Sequence, residues 1–218
     1  MKSSISELLL KGLDQLGLDV DQACLDKFAL LAQELVKWNR KINLTSIEHP
    51  DEIVIKHFID SLTIAEVVGR RGRLLDIGSG AGFPGIPLKI VLPELQVVSV
   101  DSVEKKIIFQ RSIARLLKLE DFTAMHARIE SLPEKLANGF DRIVSRAYAD
   151  IQTFARVALP LLKSGGIIIA MKGAGGKREA EESADGLKLL GARIISIHEF
   201  TLPLSDDFRT IIQLKRTE

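Results

Sequence analysis

From residue 73 onward the chain alternates short apolar, β-branched runs with stretches of helical periodicity, and that alternation admits few folds. The runs fall at 73–78, 96–101, 122–127, 141–146 and 165–171, with helical patterns at 85–92, 103–118, 150–162 and 177–190. Strands separated by helices pair in parallel through crossover connections, so the spacing predicts an α/β, doubly wound sheet. The last part breaks the rhythm. Segments 193–201 and 208–215 alternate like strands but are joined only by 202–207. A parallel crossover needs about a dozen residues or more, so these two must form an antiparallel hairpin.

The front of the chain has a different character. Residues 1–70 read as a helical extension packed on a core domain at 71–218. Leu25, Phe28, Leu31, Leu35 and Trp38 recur on one helical face, and Asp21 stands where an N-cap belongs. Asn43-Leu44-Thr45-Ser46 interrupts this helix, and a third helical pattern runs near 51–68. Trp38 sits within the apolar stripe, which points to core packing rather than base stacking.

Composition excludes several classes. The formal net charge is +1, so any polyanion must be held by a local patch rather than by the whole molecule. The single cysteine, Cys24, leaves no internal disulfide and fits a reducing, cytoplasmic setting. Apolar runs such as 167–171 are far too short to span a bilayer, and no metal-ligand cluster is legible. No heptad or broad apolar stripe argues for a dimer, so a monomer is expected.

Chemistry concentrates at 74–85. A strand ends in Asp76, and the chain then passes through Gly78, Gly80, Gly82 and Gly85. Such glycines let backbone N–H groups and a helix N-terminus approach a ligand closely. A pyrophosphate would be repelled by Asp76 and would miss the N–H donors that Pro84 and Pro87 lack. Asp101 closes the second strand, where a carboxylate can accept from both ribose hydroxyls. These features favour a phosphate-free nucleoside, S-adenosyl-L-methionine, over a nicotinamide dinucleotide. An oxidoreductase using the same corner, or a non-catalytic cofactor- or RNA-binding regulator, stay open as alternatives.

Later strands add candidates. Arg128-Ile129-Glu130 follows the third strand, where a backbone N–H of Ile129 or Glu130 can read an adenine edge. Ser145-Arg146-Ala147 follows the fourth, at the rim of the sheet. Lys172 and Lys177 border the expected crevice and are candidates for RNA phosphate contacts. His57 and Asp60, one turn apart, are positioned to tie the third helix to the sheet or to touch substrate.

Taken in order, Trp38-Asn39, Asn43-Leu44-Thr45, His57 with Asp60-Ser61, Asp76 through Pro87, Asp101-Ser102 with Lys105-Lys106, Arg128-Ile129-Glu130, Ser145-Arg146-Ala147 and Lys172-Gly173 resemble the bacterial 16S ribosomal RNA guanine-N(7) methyltransferase family. The resemblance spans about residues 38–173. It implies a Rossmann-like class I fold with a mostly parallel seven-stranded sheet closing in an antiparallel hairpin. It also implies a cofactor pocket built from Gly78, Gly80, Phe83, Ile129, Glu130 and Arg146, to which the residue-level reading adds Asp76 and Asp101. The implied substrate is a guanine of small-subunit rRNA; the net charge of only +1 adds the expectation that it is met in the 30S particle or an assembly intermediate. Guanine N(7) carries a lone pair and no proton, so no general base is expected, and Arg146 is assigned to positioning.

Overall fold

The computed structural model describes residues 2–132, 136–146 and 148–217. Seven strands form one sheet in the order β3-β2-β1-β4-β5-β7-β6. Four parallel pairings join β1 (Gly72–Ile77), β2 (Leu95–Asp101), β3 (Phe122–His126), β4 (Phe140–Arg146) and β5 (Leu162–Lys172). β7 (Phe208–Arg216) then inserts antiparallel between β5 and β6 (Ala192–Thr201), as the short 202–207 connection requires. The reversal of strand order between β1 and β4 opens a crevice at the carboxyl ends of the strands.

Helices cover both faces. α8 (Ile151–Ala158) and α9 (Gly176–Leu189) bury one face through Phe154, Ala155, Ala180 and Leu187. α6 (Gly85–Val91) and α7 (Glu104–Leu116) cover the other, together with the front helices α1 (Lys2–Gln15) and α2 (Gln22–Ile42). That second core is continuous: Leu9, Phe28 and Phe58 from the front share one cluster with Leu74, Ile86, Phe109 and Ile169.

Local chemistry explains α2 and its exit. The Asp21 side chain accepts from the Cys24 N–H at 2.8 Å, capping the first turn. Asn43 ends the helix in the left-handed region at φ 47°. Buried Asn39 then organises the next loop, its Oδ1 accepting from Leu44 and Thr45 N–H and its Nδ2 donating to the Thr45 carbonyl. Trp38, partly buried, packs edge-on at 5.6 Å against Phe109 of the core, the side its stripe predicts.

The third helical pattern is not one α-helix. α3 (Pro50–Ile53) passes into a π-helical segment, Val54–Ile59, then α4 (Asp60–Leu62), and after a break α5 (Ala65–Val68). A π-turn adds a residue per turn, and such insertions are frequent at functional sites. Here it carries His57 and leads directly into Asp60.

Candidate functional site

Two depressions lie at the carboxyl ends of the strands, on opposite sides of the β1–β4 switch point. The first is a cleft of about 600 Å³ over β1, β2 and β3. Gly78, Asp101, Ile129 and Glu130 line it, as the sequence predicts, and Tyr148 stands across from them. Gly78 adopts φ 67°, and a Cβ there would approach Tyr148 Cδ2 to 2.9 Å, so only glycine leaves this wall intact. Burial and the neighbouring Glu130 carboxylate both hold the Tyr148 phenol above its ordinary value.

Asp101 organises the turn as well as facing the cleft. Its Oδ2 accepts from the Gly80 N–H and its Oδ1 from the Val103 N–H, both at 2.8 Å. A carboxylate has about four lone-pair sites, so two bonds still leave acceptor capacity toward the cleft. Gly80 gives its carbonyl to Gln110 Nε2 at 2.8 Å, and the same amide donates to Ser79 Oγ. Gln110 was not singled out from the sequence. Its signal was a polar residue on the buried stripe between Ile107 and Ile113.

Several predicted cofactor residues take other positions. Asp76 lies fully buried beneath the turn rather than on the cleft wall. Its Oδ2 accepts from the Gly85 N–H at 2.8 Å, while Oδ1 finds no hydrogen-bond partner among the described residues. Burial pushes its carboxyl up to about 7, against the pull of the Gly85 N–H and the Arg146 charge. Phe83 is also buried, its ring stacked on the His57 imidazole at 4.3 Å and 1°. Phe83 therefore joins the front helices to the turn instead of walling the cleft.

Arg146 stands on the other side of the switch point. It donates through Nη1 to the Lys56 carbonyl at 2.8 Å and to Asp60 Oδ2 at 3.2 Å. Its Nη2 lies 3.0 Å from His57 Nδ1. A guanidinium only donates, so His57 Nδ1 accepts, and Nε2 carries the proton toward Thr45 Oγ1 at 2.9 Å. Burial first, then the Arg146 charge, push the imidazole down to about 3, leaving it neutral. Asp60 Oδ1 accepts from Arg209 Nε at 2.7 Å, across 149 positions of sequence. Arg209 had no local signal in the sequence. The expected tie between the third helix and the sheet is thus present, with Arg146 at its centre.

The two predicted RNA lysines are both partnered. Lys172 Nζ donates to the Ala149 carbonyl at 2.6 Å and to Glu179 at 2.9 Å, with only 14% of its side chain exposed. Lys177 pairs with Glu199 at 3.3 Å and lines neither depression. Ala147 lies outside the described residues. No group of three or more His, Cys, Asp or Glu suited to a metal occurs among the described residues, and no described helix is long and apolar enough to cross a membrane.

Known proteins give the same picture. The solved structure of a SAM dependent methyltransferase from Aquifex aeolicus matches with a TM-score of 0.58, over 76% of this chain and 93% of that one, at 18% identity. A variant of the 16S rRNA (adenine(1408)-N(1))-methyltransferase from Catenulisporales acidiphilia matches with a TM-score of 0.55, over 73% and 91%, at 15% identity. At such identities the likeness concerns the fold alone. A protein named ribosomal RNA small subunit methyltransferase G, from Geotalea uraniireducens, is 56% identical over 99% of both chains. Its namesake in Geobacter metallireducens is 54% identical over 99% of this chain and 98% of that one. A family model described as rRNA small subunit methyltransferase G (GidB) matches residues 24–206, and the chain belongs to that family.

Proposed function

We propose that this protein transfers a methyl group from S-adenosyl-L-methionine to N(7) of a guanine in 16S rRNA. The observation that carries this reading is the cleft over β1–β3, with the Asp101 carboxylate beside the Gly78–Gly80 turn, in a chain of this family. The cleft suits an adenosyl ligand. Asp101 supplies acceptors for ribose hydroxyls, and the backbone at Ile129 and Glu130, on the cleft wall, supplies polar groups for a base edge. Gly80 leaves open space where a side chain would intrude, since a Cβ there would meet nothing within 4 Å.

The bound cofactor would supply an electrophilic sulfonium methyl group. The chain's own part is positioning. Guanine N(7) has a lone pair and no proton to lose, so the site requires no base. His57, held neutral, could not act as an acid there at neutral pH, and it serves to orient Arg146. Arg146 in turn fixes the front helices against the ends of the sheet, which aligns the turn with whatever enters between them. We assign the protein to the cytoplasm as a monomer acting on 16S rRNA within the 30S particle or its precursor. With +1 overall, naked RNA would bind weakly.

Radiolabelled methyl transfer to 30S particles from cells lacking the gene, followed by mass mapping of the modified nucleotide, tests the reading. Label in a single 16S guanine at N(7) is the expected result. No incorporation into any RNA fraction would overturn it.

A further inference from the structure

The second depression, of about 280 Å³ over β4, β5 and β7, shares no lining residue with the cleft over β1–β3. Lys56, Arg146, Lys172 and Arg209 line it around a single carboxylate, Asp60. Four cations therefore face one recess, each of them ion-paired: Lys56 with Glu52, Arg146 and Arg209 with Asp60, and Lys172 with Glu179. Asp60 is 5% exposed by its side chain, and each oxygen is already taken, one by Arg146 and one by Arg209. His57, at the same wall, is neutral with its Nδ1 accepting from Arg146, so it neither adds charge nor offers an acceptor.

This chemistry selects its ligand. The Watson–Crick edge of guanine presents N–H donors at N1 and N2 and would need an acceptor in the recess; its N(7)–O6 edge carries acceptors alone, but that is the edge the transferred methyl group must reach. The side chains here present donors almost exclusively. Lys56 gives one of its three N–H groups to Glu52, at 2.7 Å, leaving the others free to turn inward. Arg209 places Nε on Asp60, Nη1 on the Phe208 carbonyl and Nη2 near Asp207, so each Nη retains a second N–H. The Asp60 clamp holds two guanidinium groups together that would otherwise repel. A tetrahedral anion with acceptor oxygens on every side fits such a site.

We propose that this recess seats a backbone phosphodiester of the RNA strand, with Lys56 and Arg209 as its principal donors. The proposal rests on the reading of the chain as an rRNA methyltransferase and deepens it. The cleft over β1–β3 holds the nucleoside cofactor, and the recess over β4, β5 and β7 anchors the strand whose base reaches across the switch point. The knot of Arg146, His57 and Asp60 lies between them and fixes the offset of the two sites.

The full chain and its Lys56→Gln and Arg209→Gln variants test this with 30S particles titrated over a range of KCl concentrations. Each lost phosphate contact should flatten the slope of log affinity against log salt by about 0.7. In methyl transfer to 30S particles, KM for the particle should rise several-fold with kcat little changed. Affinity for S-adenosylhomocysteine should stay that of the wild type. The Lys56 side chain is 37% exposed and pairs with Glu52, itself at the surface, so its variant folds even if Arg209→Gln, which strips a partner from buried Asp60, does not. Unchanged salt slope and unchanged KM in Lys56→Gln, beside an active wild type, would overturn the recess alone. A wild type that methylates no RNA would remove the parent reading and this proposal with it.

Discussion

Replacing Asp76 by asparagine probes the buried floor of the glycine turn. Burial holds the Asp76 carboxyl at about 7 in the folded chain, against 3.8 for an unperturbed side chain. Between those values the folded chain keeps a proton that the unfolded chain has released, so stability falls as pH rises. Integrating that linkage from pH 5 to pH 8 assigns a loss of about 2–3 kcal/mol to this one group. Asp76→Asn keeps the shape and an acceptor for the Gly85 N–H but cannot ionise. Its amide has no acceptor where Oδ1 now sits unpartnered, an offset of about 1–3 kcal/mol that does not depend on pH. His57 contributes in the opposite sense, since its depressed value makes stability rise with pH, but it does so in both proteins and cancels. Urea unfolding at pH 5 and pH 8, followed by circular dichroism, measures the difference. The variant should gain about 2–3 kcal/mol on the wild type between the two pH values. Parallel stabilities of the two proteins would mean that Asp76 titrates alike folded and unfolded, and would refute the reasoning.

Gly78→Val forces a side chain against Tyr148 at a left-handed backbone position, and should lower S-adenosylhomocysteine affinity at least tenfold by calorimetry; unchanged affinity would argue against the cleft. Asp101→Ala removes the proposed ribose acceptor together with the partner of two N–H groups, and should weaken the same ligand by about 1–3 kcal/mol. The His57 ring should show no titration by NMR between pH 8 and pH 5, and a midpoint near 6.5 would contradict its burial against Phe83. Arg146→Ala leaves Asp60 with Arg209 alone and frees His57 Nδ1, so the midpoint should rise from about 3 toward the ordinary 6.5 while urea stability drops by about 2 kcal/mol or more.

The sheet was legible because its signals are local. β-Branched runs, a six-residue link too short for a crossover and an aspartate before a helical stripe each act within a few positions. Gly78, Asp101, Ile129 and Glu130 were legible for the same reason, since the ends of parallel strands share one rim. What sequence reasoning missed is non-local or a matter of orientation. Nothing near Arg209 announces Asp60, and nothing near Tyr148 announces Gly78. Asp76 occupies the expected strand end, yet its side chain turns under the loop to hold Gly85. Lys172 sits at the expected rim, but Glu179 and the Ala149 carbonyl claim its ammonium. The π-helical turn at Val54–Ile59 escaped because apolar spacing over one turn cannot distinguish 3.6 residues from a slightly wider coil.

The core shared by the front helices and the sheet has a consequence for how this chain could be rebuilt. Phe28 touches Phe58, Phe58 touches Phe83, and Phe83 lies in the turn itself. A fragment beginning at β1 would lose the helices that shield Phe83, Ile86 and Phe109, and would leave Arg146 without Asp60. The methyl-donor half is therefore not a cassette to be grafted onto another RNA-binding partner. Engineering that retargets this scaffold must carry the first seventy residues along and redesign the rim around them.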